Sequence, residues 1–221
     1  MGESSLRLYS YWRSSAAFRV RIAIHIKALP CEIVPVDLVK GGGEQHSEAF
    51  KQINPQELVP VLIDGGRVIR QSLAIIEYLE EMYEGASLLP ATARERARAR
   101  GIAQLIACDI HPLNNTRVLR YLEGEDNMPQ IERERWIRHW ITLGFEALEQ
   151  MLIDSPSTGD FCEGDLPSMA DCCLVPQVYN AQRWTMDLSP WPTIRRIHAT
   201  CMALPAFEKA RPENQPDAPK M

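Results

Sequence analysis

The apolar residues of this 221-residue chain change period repeatedly up to about residue 83, then keep a helical period from about Ala91 onward. That switch constrains the fold more than any other feature. A two-residue period belongs to a half-buried strand, a 3.6-residue period to an amphipathic helix. Leu6–Tyr11 alternates as a strand, and residues 17–29 read as a helix. Cys31–Val36 is a second strand, followed by the Gly41-Gly42-Gly43 loop and a short helix near Ser47–Gln52. Val59–Ile63 and Arg67–Arg70, joined by Asp64-Gly65-Gly66, read as an antiparallel hairpin. Ser72 is placed to cap a helix carrying Leu73, Ile75, Ile76 and Leu79.

The order is therefore βαβ–ββα with Pro60 entering the third strand, the arrangement of a thioredoxin-like α/β domain. In such folds the bond before this proline is cis, which is expected here for Val59-Pro60. The domain is expected over residues 1–85, with Gly85 as a stop signal and Pro90 as a start signal. Residues 90–221 then form an all-α domain. Its first helix, long and mainly polar, spans about 92–123 and is interrupted by Pro112. A second, about 131–153, turns Trp136, Trp140, Leu143, Phe145, Leu148 and Leu152 toward a core. Ser168-Met169-Ala170-Asp171 resembles a capping box that opens a third helix. Further helices follow Pro192 and Pro205, and the proline-rich tail from Arg211 is expected to lie extended along the surface.

A net charge of −5 and the lack of a basic stripe argue against nucleic acid as a partner. No apolar run approaches the ~20 residues that span a bilayer, and residues 1–5 show no export leader. Six cysteines (Cys31, Cys108, Cys162, Cys172, Cys173 and Cys201) include no C-x-x-C pair. In a chain without an export signal they read as reduced, mostly buried cytoplasmic thiols. Asp109 and His111 diverge by about 200° on a helix, so they do not chelate one metal ion. No metal is expected. Arg94, Arg96, Arg98 and Arg100 spread around a helix as a solvated face.

Ser14 and Ser15 stand where the first strand hands over to the first helix. Unpaired N–H groups and the positive end of a helix dipole favour an anion there. A serine is also an ordinary N-cap, and both roles remain open at this point. The turn holds no cysteine, so a thiolate bound there would be borrowed, with glutathione the candidate donor. Gln71-Ser72 opens a second helix start able to hold a carboxylate. Two anion-accepting helix starts in one small domain suit a tripeptide that carries a thiol and two terminal carboxylates.

These residues resemble a known family. Ser14-Ser15-x-x-Phe18-Arg19-Val20-Arg21-Ile22-Ala23, Asn54-Pro55, Val59-Pro60 and the run from Gln71 to Glu80 look like zeta-class glutathione transferases. So do Asp109 to Asn115 and Ser168 to Gln177, and the likeness covers essentially the whole chain. The resemblance implies the transferase architecture and a two-fold homodimer. It implies glutathione-dependent cis–trans isomerisation of maleylacetoacetate, with maleylpyruvate isomerisation, or glutathione transfer and α-halo acid dehalogenation, as alternatives. It assigns Ser14 and Ser15 to the glutathione sulfur, Ser14 foremost. Gln45, Val59, Pro60, Gln71, Ser72, His111 and Asn115 would hold the tripeptide. Arg183 would bind a carboxylate of the small dianionic substrate, and Arg13, Arg19 and Arg117, each in or near a site element, are further substrate-binding candidates, with a structural ion pair the alternative for each. Many zeta-class members carry Cys where this chain has Ala16. That removes one contact to the sulfur and a point of covalent inactivation.

Overall fold

The computed structural model describes residues 6–220; the leader-free reading of residues 1–5 lies outside them. The chain divides into two compact units, residues 1–88 with 203–221, and residues 89–202.

In the first unit, β1 (Leu6–Ser10), α1 (Ser15–Ile26) and β2 (Cys31–Pro35) form a βαβ unit, followed by α2 (Glu48–Ile53), β3 (Val61–Asp64), β4 (Arg67–Arg70) and α3 (Ser72–Met82). The strand order is β2-β1-β3-β4, with β1 parallel to β2 and β3 antiparallel to both β1 and β4. Alternation along β1 buries Leu6, Leu8 and Ser10 and exposes Arg7. Leu8 stands opposite Leu62 of β3 and Ile33 of β2, so the central strand is sealed on both edges. α1 packs on α3, and Phe18, Val20, Ile22, Ile75, Ile76 and Leu79 close the core beneath them. A separate apolar cluster of Tyr11, Val36, Phe50, Val59 and Val61 sits at the end of β1 where the chain turns into α1. The Val59-Pro60 bond is cis.

The second unit is helical: α4 (Ala93–Gln104), α5 (Thr116–Gly124), α6 (Gln130–Ile153), α7 (Met169–Arg183) and α8 (Pro192–Met202). The expected long helix is broken further upstream than Pro112. Residues Leu105–Ile110 form a π turn and His111–Asn114 a 3-10 turn. A proline offers no N–H to the carbonyl four residues back, so the ladder is already out of step before it. The His111 N–H accordingly reaches Ile106 O, five residues back. Ile137, Ile141, Phe145, Leu148 and Leu152 make the buried stripe of α6. Leu143, expected on the core face, is instead 50% exposed, and Trp136 and Trp140 are half-buried. The Ser168–Asp171 capping box is present and fully buried, and Asp171 also accepts from the Cys162 N–H at 2.9 Å.

The helix expected after Pro205 is α9 (Pro205–Ala210), which packs on α1 through buried Phe207 and Ala210. The tail beyond it differs from its expected extended course: Pro212–Asn214 form a 3-10 turn, and Pro212 and Gln215 are buried. Residues 203–221 therefore belong with the first unit and not with the helical residues that precede them.

Gly144 on α6 is where Ile110 of the π turn lies closest: a Cβ there would stand 2.3 Å from Ile110 Cδ1. Gly144→Ala should cost about 1–3 kcal/mol through overpacking. In an Ile110→Ala background the same change should cost almost nothing. Denaturant unfolding of the four variants measures this, and an equal cost in both backgrounds would refute the contact.

Candidate active site at two helix starts

β1 ends at Ser10, and a β-turn over Tyr11–Ser14, closed by the Ser14 N–H on Tyr11 O at 3.0 Å, delivers the chain to α1. Ser14 is the N-cap: its backbone is extended and its Oγ accepts from the Ala17 N–H at 3.2 Å. The two readings of this serine are compatible. A hydroxyl has two lone pairs and one proton. The cap bond uses one lone pair and leaves the proton for an acceptor at the helix start. The first turn of α1 contains no acidic residue to offset the positive end of the helix. Ser15, the first helical residue, is half-buried, and Arg13 stacks over Trp12 with its guanidinium carbon 5.5 Å from the ring centre.

The chain's own thiols are poor rivals for this position. Burial pushes the Cys31 thiol up to about 12 and the buried Cys162, Cys172 and Cys201 thiols well above their ordinary value. These groups stay protonated at neutral pH. Position 16, two residues after Ser14, is alanine.

At the second helix start the N-cap is Gln71, with φ +71°, and Ser72 is the first helical residue. The expectation that Ser72 caps α3 is corrected by one position, because Gln71 takes the non-helical conformation. Gln71 Nε2 donates to Gln56 Oε1 at 3.0 Å. Ser72 is buried, and its Oγ accepts from Arg19 Nη1 at 3.1 Å. Arg19 was expected among the substrate-contacting arginines. It is only 2% exposed, and its guanidinium is directed at Ser72 because α1 packs its inner face on α3. Its part is to hold Ser72 and to add positive charge beneath the second helix start. The bond again leaves the Ser72 proton for an acceptor.

Gln45 lies in a 3-10 turn, Glu44–His46, and is 5% exposed. Its Nε2 is 2.9 Å from His46 Nε2, and His46 Nδ1 bonds to Glu57. A carboxylate only accepts, so Nδ1 carries the proton and Nε2 takes the Gln45 hydrogen. Gln45 Oε1 is then a buried acceptor without a hydrogen-bond partner within the protein. Gly43, at φ +116°, lies against this amide: a Cβ there would be 2.4 Å from both Oε1 and Nε2. The residues that aim Gln45 and Gln71, namely His46, Glu57 and Gln56, were not legible as such in the sequence. The one local signal for this crowded turn is Gly43, two residues before Gln45, which the sequence showed only as part of a glycine loop.

In the helical unit, the turn after the π segment brings His111 and Asn115 together, with Asn115 Nδ2 3.3 Å from His111 Nε2. Asn115 Oδ1 also caps α5 through the Arg117 N–H at 3.2 Å. Asn180 of α7 donates to Asn114 Oδ1 at 3.0 Å, tying α7 to this turn. Arg117 is exposed near the start of α5, and Arg183 is the exposed last residue of α7. The carboxylate of Asp187 is engaged by Ser189, from Oγ at 2.5 Å and from N–H at 2.9 Å. These bonds hold its pKa below the usual range.

Residues 8–87 match the family described as the glutathione S-transferase N-terminal domain. A probable maleylacetoacetate isomerase of Vibrio cholerae is 52% identical over 97% of this chain and 99% of its own length. A bacterial maleylpyruvate isomerase, described as a zeta-class glutathione transferase, superposes with a TM-score of 0.93 at 46% identity, over 96% of this chain and all of the other. The chain belongs to the zeta-class glutathione transferase family. A second solved relative, the maleylacetoacetate isomerase of Methylobacterium extorquens AM1 with bound malonate and glutathione, has a TM-score of 0.93 at 42% identity. It covers 97% of this chain and 100% of its own. The thioredoxin-like first domain expected from the order of elements, and the transferase architecture that the resemblance implied, are thus the fold observed.

The cap bond makes a stability prediction separate from chemistry. Ser14→Ala in this transferase should cost about 1 kcal/mol, the usual loss on removing an N-cap hydroxyl, whereas Ser15→Ala should cost clearly less. Thermal melts of both variants check it, and equal losses would show that Ser14 is not the cap.

Proposed function

We propose that this chain is a glutathione-dependent cis–trans isomerase that converts maleylacetoacetate to fumarylacetoacetate. The observation that carries the reading is Ser14: an N-cap hydroxyl with a proton to give, at a helix start that has no thiol of its own. Its relatives support it, since proteins bearing this name are alike over nearly the whole chain.

The residues present fit glutathione. One helix start offers a hydroxyl proton for sulfur, the other a buried serine with Arg19 behind it for a carboxylate, and Gln45 Oε1 is an acceptor in want of a donor. Ser14 and Ser15 would hold the sulfur, while Gln45, Val59, Pro60, Gln71 and Ser72 would hold the peptide. His111 and Asn115 are assigned to the same ligand. When bound, glutathione supplies a thiol that adds to the activated carbon of the cis alkene and leaves again, with a freely rotating single bond in between. Ser14 Oγ–H donates to the sulfur and favours its ionised form at neutral pH. Arg183, with Arg117 and Arg13, is assigned to the carboxylates of the diacid, which a guanidinium engages through two parallel hydrogen bonds.

Maleylpyruvate is the second reading, favoured by the 46% identical relative that carries that name. Among the described residues no helix is long and apolar enough to cross a membrane. We assign the chain to the cytoplasm and to a two-fold homodimer, which sedimentation of the purified protein decides.

With either maleyl substrate, isomerisation should stop when glutathione is withheld, and glutathione should be undiminished after many turnovers. Stoichiometric accumulation of a glutathione adduct would overturn the isomerase reading, and the ratio of the two kcat/KM values picks the substrate. Arg183→Lys should raise KM for the diacid about tenfold, roughly 1.4 kcal/mol, with KM for glutathione and the melting temperature unchanged. A lowered melting temperature with an unchanged KM would make Arg183 structural.

A further inference from the structure

We propose that the C-terminal segment positions Ser14, acting through Asp217 on the Tyr11–Ser14 turn. The inference rests on the reading that Ser14 holds the glutathione sulfur. Asp217 is a positioning residue; it is not assigned a contact with glutathione or substrate.

The turn that delivers Ser14 is held on its inner peptide groups from two sides. The Trp12 N–H donates to Asp217 Oδ2 at 2.8 Å, across 205 residues of sequence. The Trp12 carbonyl accepts from Arg21 Nη2 at 2.9 Å, and the Tyr11 carbonyl from Arg21 Nη1 at 3.3 Å. Arg21 is itself tied to the same C-terminal segment, because its Nε donates to Ala210 O at 3.1 Å. Both brackets of the turn therefore depend on residues 203–218.

The segment is built to hold Asp217 still. Gln215 is buried and its Nε2 donates to Lys209 O at 3.1 Å and Arg211 O at 2.8 Å. The Ala218 N–H closes a turn on Gln215 O at 3.1 Å, with Asp217 inside it. Pro216 fixes the backbone just before. Asp217 Oδ1 is buried without a hydrogen-bond partner within the protein. Leaving a carboxylate oxygen unmatched is costly, so a fold that keeps it has a use for the other oxygen. That oxygen is on Trp12, two residues before Ser14.

Position and charge act in opposite directions here, which makes the idea testable. A carboxylate near the site disfavours a thiolate, so removing its charge alone should lower the pH midpoint for ionising bound glutathione. Releasing the turn should raise that midpoint, because Ser14 Oγ would no longer be held toward the sulfur. The experiment follows the ultraviolet absorbance of bound glutathione thiolate, together with kcat, as a function of pH in the full-length protein, Asp217→Ala and Asp217→Asn.

For Asp217→Ala the midpoint should rise by about one unit and kcat at neutral pH should fall about three- to fivefold. Asp217→Asn keeps a carbonyl acceptor for the Trp12 N–H without the charge, so its midpoint should stay at or below that of the parent. An Asp217→Ala midpoint at or below the parent's overturns the proposal, whether or not the melting temperature drops. So do equal rises in both variants, because the acceptor would then not be what matters. A parent protein that does not lower the glutathione midpoint at all refutes the proposed function and not this inference.

Discussion

A single buried guanidinium organises the end of the sheet from which the site grows. Arg21 is 1% exposed, and its donors run to Ala210 O, Ser10 Oγ, Tyr11 O and Trp12 O, so β1, the turn and α9 meet at one group. Its plane lies over Phe18, 5.3 Å from the ring centre, which fixes the guanidinium's orientation as well as its place. A lysine offers no such fork. With this joint in place α1 leaves the sheet in one direction only, and Ser14 stands at the seam.

The second helix start depends on the first through Arg19, four residues past Ser15 on α1. Its hydrogen bond to Ser72 means that the serine at α3 is oriented by the same helix whose own N-terminus carries Ser14. The two anion-accepting ends are therefore one construction. Both serines spend a lone pair on the protein, Ser14 on a cap bond and Ser72 on the guanidinium, and both keep a proton.

Local chemistry made much of this legible beforehand. The alternation of Leu6 to Ser10, the Asp64-Gly65-Gly66 turn and the Ser168–Asp171 box each follow from residues within a few positions of one another. What escaped the sequence depends on distant partners. The tail from Arg211 was read as a surface strap because its prolines say nothing of the burial of Pro212 and Gln215 or of the bond from Trp12 to Asp217. Arg19 was read as a substrate contact because only the packing of α1 on α3 shows where its side chain goes. Gln71 and Ser72 exchange roles at the cap because a positive φ on a glutamine is set by its surroundings and not by its propensity.

The π turn at Leu105–Ile110 has the character of an inserted residue: the chain takes about one residue more to complete that turn than an α-helix would. Each residue added to or removed from a helix rotates everything after it by about 100°. The direction in which His111 leaves the helix is therefore set by the count of residues in this stretch more than by their identity. Single-residue deletions between Leu105 and Ile110 amount to a rotation control for His111 and Asn115, one that no side-chain replacement at those two positions can reproduce.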